Sequence, residues 1–195
     1  MLKDILKKVA NLLGRKDITE ELEKSDKLSD ITCKSIQSDI SNLIMNFNFI
    51  VSAIFEHYLD LIYCDKVASN SSGEIDYNKL SFHPLKIVKV EDESFYVMDF
   101  VSRCNYLKVC SPNRLYYVSY KFVPNPLGDL TDEVSFFTSE VERAVCYGVA
   151  GEFLSSNGKY SEANFWSEKL ISELFKIKAK KERRVKSTFC LWKKL

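Results

Sequence analysis

The first apolar pattern in the chain is helical. Leu2, Ile5, Leu6, Val9, Leu12 and Leu13 recur at three- and four-residue spacing among Lys3, Asp4, Lys7 and Lys8, and Gly14 follows the last of them. This predicts a short amphipathic helix. Residues 15–29 are almost entirely charged and polar, a linker or an exposed short helix, so the first helix has no local partner. It is expected either to act as an arm that docks elsewhere or to pack back onto its own domain. A longer pattern runs through residues 31–67. Ile36, Ile40, Leu43, Ile44, Phe47, Ile50, Val51, Ile54, Tyr58, Leu61 and Ile62 keep helical spacing with no Pro or Gly among them. So wide a stripe predicts a central core helix, unbroken unless it gives way near Asn46-Phe47-Asn48.

The period then changes. Asn70-Ser71-Ser72-Gly73 is a turn, and short strand-like pieces follow at residues 74–77, 85–90, 95–100, 106–109 and 115–122. Glu91-Asp92-Glu93 and Ser111-Pro112-Asn113 supply the hairpin turns. The spacing predicts an antiparallel meander of three to five strands, with one polar face and an edge open to a neighbour. The strands stop at Pro124-Asn125-Pro126, and helical spacing returns.

A helix is predicted from Asp132 or Thr138 to Ser156. Val141, Ala144, Val145, Gly148, Val149 and Leu154 share one face, and Ala144, Gly148 and Gly151 let another helix approach closely. Asn157-Gly158 breaks it, and Ser161 is placed to cap a second helix with the stripe Ala163, Trp166, Leu170, Leu174 and Ile177. The two form an antiparallel hairpin, with Tyr147 and Trp166 expected to be buried where it meets the long helix. The predicted fold class is α+β, mainly helical: a long helix plus a C-terminal helical hairpin with an antiparallel β meander inserted at about residues 74–123. The predicted partition is an arm and linker at 1–28, a core at 29–179 and a tail at 180–195.

Composition refines this picture. In 195 residues, 46% are hydrophobic and 28% charged, enough for a real core and against wholesale disorder. Net charge is +1, so no whole-protein field steers the chain to nucleic acid. The charge is unevenly placed, however: residues 176–195 hold nine Lys or Arg against the single Glu182. A basic tail on an acidic body suggests a partner. The N-terminus has no continuous apolar h-region, and no run approaches the roughly 18 apolar residues of a membrane span. A soluble protein that is not exported, with no membrane partner, is expected.

Six cysteines lack Cys-x-x-Cys spacing and zinc-site histidines, which favours a reducing compartment. Cys64 and Cys146 read as small core residues within helices. Catalytic patterns are missing. His57 and His83 are too few for a metal triad, and there is no nucleophile elbow or phosphate-binding glycine loop. His57 beside Glu56 or Asp60 is the one place where a perturbed base would argue otherwise. Glu140, Glu142 and Glu152 read as a salt-bridged helix face. Tyr116, Tyr117 and Tyr120 lack the basic interleaving of a base-stacking platform. No catalytic, cofactor or metal residue is assigned, and no enzyme activity is expected.

Several pieces in order carry a resemblance. Tyr58-Leu59-Asp60-Leu61-Ile62-Tyr63 is followed by Gly73-Glu74-Ile75-Asp76-Tyr77-Asn78-Lys79-Leu80 and Pro84-Leu85-Lys86-Ile87-Val88-Lys89-Val90. Then come Tyr120-Lys121-Phe122-Val123-Pro124, Tyr147-Gly148-Val149-Ala150-Gly151-Glu152, and Gly158-Lys159-Tyr160-Ser161-Glu162-Ala163 with Trp166. From about Ile40 to Ile177 the chain resembles the head–tail connector (adaptor) proteins of tailed bacteriophages. The arm up to Ser29 has no counterpart, and the tail beyond Lys178 is longer and more basic.

The resemblance implies a structural neck subunit that forms an oligomeric ring, a dodecamer in that family, joining the portal to the tail while genomic DNA passes through the lumen. Its partners would be further copies of itself, the portal, and tail or other neck proteins, in the virion after assembly in the host cytoplasm. The tail combines charge with large apolar residues. Lys180, Lys181, Arg183, Arg184, Phe189 and Trp192 are therefore the candidate portal interface, expected to be loose until docked. A small Tyr-rich sheet is marginal alone, which makes Glu91, Asp92, Glu93 and Tyr116 the candidate subunit interface. The rival reading is a non-catalytic regulator that binds nucleic acid or a partner protein through the basic tail, and a third is an enzyme of unrecognised type. A ring-former assembles, whereas a regulator stays monomeric or dimeric.

Overall fold

The computed structural model describes residues 1–134 and 137–192, with side chains to residue 180. The described residues form an α+β fold with five α-helices and two small antiparallel sheets. The chain divides into two compact units, one comprising Met1–Val51 and Pro126–Leu195, the other Ser52–Asn125.

The first unit is helical. Helix α1 (Leu2–Leu12) buries Leu2, Ile5, Leu6, Val9 and Ala10. Each large apolar side chain so buried contributes about 1.5–3 kcal/mol. The backbone N–H groups of Leu2 and Lys3 donate to the carbonyls of Asp132 (2.9 Å) and Leu130 (3.0 Å), which satisfies helix-start donors that would otherwise be orphaned. The N-terminal segment is thus built into the unit rather than standing out as an arm. Its partner is distant in sequence, so local periodicity cannot show it. The polar stretch after it folds as α2 (Lys16–Lys24), which buries Ile18 and Leu22.

Helix α3 (Lys34–His57) is continuous through residues 46–48. Asn48 uses both ends of its amide on Leu127, donating to its carbonyl at 2.8 Å and accepting from its N–H at 2.9 Å. By length and composition alone α3 could cross a membrane, but Ile40, Leu43, Ile44, Phe47, Ile50 and Val51 are buried within the protein. Helix α4 (Ser139–Ser156) begins at Thr138, whose hydroxyl accepts from the Val141 N–H, and α5 (Tyr160–Trp192) follows the break at Asn157-Gly158. Small residues set the packing of α4. A Cβ on Gly148 would lie 2.8 Å from Ile50 of α3, and one on Gly151 would lie 3.3 Å from Ser167 of α5. Tyr147 and Trp166 are half-buried rather than buried. They stack on each other with ring centroids 5.5 Å apart, at the margin of the α4–α5 contact.

The second unit holds six strands. The predicted long helix ends at His57, and residues 61–67 are strand, not helix: β1 spans Leu61–Ala68. The helical spacing of Leu61 and Ile62 misled because one apolar pair fits either period, while the Ile-Tyr-Cys and Val content favours a strand. Strands β2 (Glu74–Asp76), β3 (Pro84–Glu91), β4 (Phe100–Ser102), β5 (Tyr106–Val109) and β6 (Leu115–Phe122) follow. They form two antiparallel three-stranded sheets, ordered β1-β6-β3 and β2-β5-β4, not one meander. Val67, Ile75, Tyr77, Leu80, Val90, Leu107, Tyr116, Val118 and Phe122 are among the residues of one shared core cluster.

Strand β3 does not alternate. It buries Pro84, Ile87 and Val90, every third residue, because its register against β6 shifts between Pro84 and Lys86 and again between Ile87 and Lys89. Polar pins hold this small core. The Tyr120 hydroxyl donates to Asp65 (2.6 Å) and accepts from the Phe82 N–H (3.1 Å), while the N–H and hydroxyl of Ser81 both donate to Asp65 at 2.7 Å. Burial works to raise the Asp65 carboxyl, but these hydrogen bonds outweigh it and hold the group below its ordinary value. Burial and the adjacent Asp65 push the Tyr120 phenol up. Gly73 lies where only glycine fits: its φ is +74°, and a Cβ there would sit 2.6 Å from the Val109 carbonyl oxygen.

Candidate assembly surfaces

The residues raised as catalytic candidates do not converge. His57 Nε2 lies 4.0 Å from Glu56 with both side chains exposed, and Asp60 is engaged by Lys121. His83 stands immediately before β3 with its ring edge-on to Tyr77. Among the described residues, no group of three or more His, Cys, Asp or Glu is placed to hold a metal. Two of the three α4 glutamates are paired, Glu140 with Lys180 and Glu142 with Lys8, while Glu152 is exposed. Cys64 is exposed on β1, contrary to its expected core position. Cys146 is buried, and burial, then the nearby Glu142 charge, pushes its thiol up to about 12.

The turn that follows β3, closed by an isolated bridge between Glu91 and Val97, is a built feature. One carboxylate oxygen of Asp92 accepts from the N–H groups of Ser94 and Tyr96, each at 2.9 Å, while Phe95 N–H donates to the Asp92 carbonyl (3.0 Å). Phe95 adopts a left-handed φ of +62°, uncommon for a bulky residue and fixed by those bonds. Its ring stacks on Tyr117 with centroids 5.1 Å apart, and the Lys66 ammonium sits 5.4 Å from the centre of the same Tyr117 ring. The turn therefore presents three consecutive apolar residues to solvent: Phe95 (65% exposed), Tyr96 (71%) and Val97 (70%). Single exposed apolar residues are ordinary, but a contiguous run on a rigid turn marks a contact surface.

The predicted subunit-contact residues divide around this tip. Glu93 is exposed at it, 3.6 Å from Lys66. Glu91 pairs with Lys89 at 2.7 Å, and Asp92 is spent on holding the turn. Tyr116 is removed from the surface. It is 1% exposed in the core of its own unit, and its hydroxyl donates to the Ser111 carbonyl. In an antiparallel strand alternate residues point inward, and β6 sends Tyr116, Val118, Tyr120 and Phe122 to the core and Tyr117 outward. Sequence reasoning missed Phe95, Tyr96 and Val97 by reading them as strand. The signal available was the Asp92-Glu93-Ser94 run, an Asx-turn composition directly before them.

Of the predicted portal contacts, Lys180 is described and pairs with Glu140. The side chains of Lys181, Arg183, Arg184, Phe189 and Trp192 lie outside the described residues. The backbone there continues α5 as helix to Trp192.

Two hollows accompany these surfaces. One of about 260 Å³ between α4 and α5 is lined by Glu140, Arg143, Glu173, Lys176 and Lys180 among others. Glu173 is buried there, accepting from Lys176 at 2.6 Å with Arg143 at 3.6 Å. The other, about 330 Å³, is open and polar beside Asn70, Asp76, His83 and Asn105. Neither brings a nucleophile to a base. Neither a protein-family model nor a curated protein sequence matches the chain.

Proposed function

We propose that the chain is a structural subunit of a bacteriophage neck, forming a ring that joins the portal to the tail and lets DNA pass. The observation that carries this reading is the rigid, apolar tip at residues 95–97, a surface built to be covered by protein. The arrangement implied by the connector resemblance, a long helix plus a C-terminal helical hairpin with an inserted antiparallel β segment, agrees with the α+β character of the chain. The basic extension of α5, with Lys180, Lys181, Arg183, Arg184, Phe189 and Trp192, supplies the portal contact in this reading.

The test is native mass spectrometry and electron microscopy of the full chain, alone and co-produced with a portal protein. Closed oligomers in either condition are expected. A chain that stays monomeric or dimeric in both would overturn the reading. A chain ending at Ala179 is expected to form rings yet bind portal more weakly, and equal portal affinity at two salt concentrations would remove the tail's role.

A further inference from the structure

We infer that the hairpin tip of one subunit docks on the outward face of α5 in the next copy. This inference rests on the ring reading and names the two surfaces that close it. The first is the tip Phe95-Tyr96-Val97. The segment 91–99 around it carries Glu91, Asp92, Glu93 and Asp99, of which Glu91 pairs with Lys89 and Glu93 lies 3.6 Å from Lys66, so the rim stays net acidic. The second surface lies on α5, which buries Ala163 and Leu174 on one side and leaves Phe165 (51%), Ile171 (51%) and Phe175 (68%) exposed on the other. Lysines frame that face. Lys169, 5.3 Å from the centre of the Phe165 ring, and Lys178 border it, Glu168 lies within it, and Lys176 is already bonded to Glu173.

Charge selects how the two surfaces can meet. Tip against tip would set a net acidic rim beside its copy, and α5 against α5 would set Lys169 and Lys178 beside theirs. Like charges juxtaposed at a contact are costly, so a two-fold contact of either kind is disfavoured. Tip against α5 brings acidic and basic rims together around two apolar centres, the arrangement of an interface whose core supplies affinity and whose rim supplies register. Two different, mutually complementary patches on one chain make a head-to-tail contact, and head-to-tail contacts generate rings when the rotation closes.

Charge inversion tests this on the full chain. Glu93→Lys with Asp99→Lys inverts the tip, and Lys169→Glu with Lys178→Glu inverts the helix face. All four residues are exposed, so circular dichroism is expected to match the wild type. Each inverted protein alone is expected to lose assembly. An equal mixture of the two is expected to regain it as alternating rings, because each inverted surface then meets its complement. A chain carrying all four changes is expected to assemble alone. If the wild type assembles and either inverted protein assembles equally well, or if the mixture remains unassembled, the docking inference fails while the ring reading stands. A wild type that never assembles, with or without portal, removes the ring reading itself.

Discussion

Each unit is built internally by different means. In the helical unit most of the packing is apolar and between side chains, such as Ile50 filling the space over Gly148 and Leu2, Leu6 and Val9 fully buried from α1, with the backbone bonds of Leu2 and Lys3 and the Asn48 amide as its polar ties. In the β unit the core is small, and its geometry is fixed by polar atoms. The Asp65 carboxylate gathers Tyr120 and Ser81, Asp92 ties the exposed turn, and the Val109 carbonyl sits against Gly73. Helix packing leaves α5 with a passive outer face, whereas polar pinning lets the β unit project three apolar residues on a fixed turn. The difference also predicts how each unit breaks. A side-chain contact can be repaired by a compensating side chain, while a backbone contact cannot.

The largest expected effect is at Gly73. Alanine there must take a left-handed conformation, costing about 1–2 kcal/mol. Its Cβ also meets a backbone oxygen at 2.6 Å, and overpacking of this kind costs about 1–3 kcal/mol more. Gly73→Ala should therefore selectively destabilise the β unit. The molecule offers separate probes, since Trp166 and Trp192 lie in the helical unit, whereas eight of the ten tyrosines lie in residues 52–125. Near-ultraviolet tyrosine signals should be lost at lower temperature while tryptophan fluorescence shifts less. No change at Val109 should rescue the variant, because the obstacle is main chain, and a rescue would break the comparison.

Removing the Asp65 pin comes next. Asp65→Ala leaves the Tyr120 hydroxyl and the Ser81 N–H without their acceptor, a loss of about 1.5–3 kcal/mol for bonds to a charged group. The pH dependence has a definite sign. Because the folded carboxyl lies below its ordinary value, its stabilisation is present above the unfolded value of about 3.9 and is lost as pH falls through the folded one. Acid should melt the tyrosine signal of the β unit, and Asp65→Asn should flatten that dependence. An unchanged acid profile in Asp65→Asn would show that other carboxylates dominate.

Gly148→Ala should cost less. The new Cβ meets Ile50 Cγ2 at 2.8 Å, but the obstacle is a side chain in the helical unit. The overpacking cost of about 1–3 kcal/mol is offset by about 1 kcal/mol of helix propensity. Ile50→Val should recover part of the loss in the double variant, measured by tryptophan fluorescence on thermal unfolding. Strict additivity of the two changes would contradict the close α3–α4 contact.

Much of this was legible in the sequence, and for a physical reason. The pieces that carry the connector resemblance are largely packing positions. Gly73 is sterically required, Ile75, Tyr77 and Leu80 are buried, and Pro84, Ile87 and Val90 are the residues β3 turns inward. The helix break at Asn157-Gly158 was readable from its turn residues, whereas the α4 start was left open between Asp132 and Thr138 and Ser161, read as a cap, lies inside α5. What the sequence hid was long-range. The placement of α1 depends on Leu130 and Asp132, and the helix-to-strand change near residue 58 depends on pairing β1 with β6, from Leu61 with Phe122 to Ala68 with Leu115. The candidate surface was half legible. Glu91, Asp92 and Glu93 were legible as a turn, but Tyr116 was misplaced because the face of a strand follows from register, and Phe95 was missed because a side-chain cap had bent the chain there.

The smallest effect leaves stability untouched and compares the units by thiol chemistry. Cys33, Cys64, Cys104 and Cys110 are exposed, whereas Cys146 is buried in the helical unit. Cys33 lies just ahead of α3, where the Ser35 hydroxyl and then the Ile36 N–H favour its thiolate, so its pKa is lowered. At neutral pH it should be the first of these to react with maleimide, as thiolates are the reactive species. Cys146 should stay unlabelled until the helical unit opens. Its raised pKa makes its contribution to stability fully present below the unfolded value of about 8.5 and lost as pH rises toward the folded one. Peptide mapping of a labelling time course, with Cys190 resolved on its own peptide, assigns each rate. In Gly73→Ala, Cys146 should remain protected under conditions where the tyrosine signal is already lost. Simultaneous loss of both would show that the two units unfold as one cooperative body, and the contrast between pinned and packed would then describe local geometry without separable stabilities.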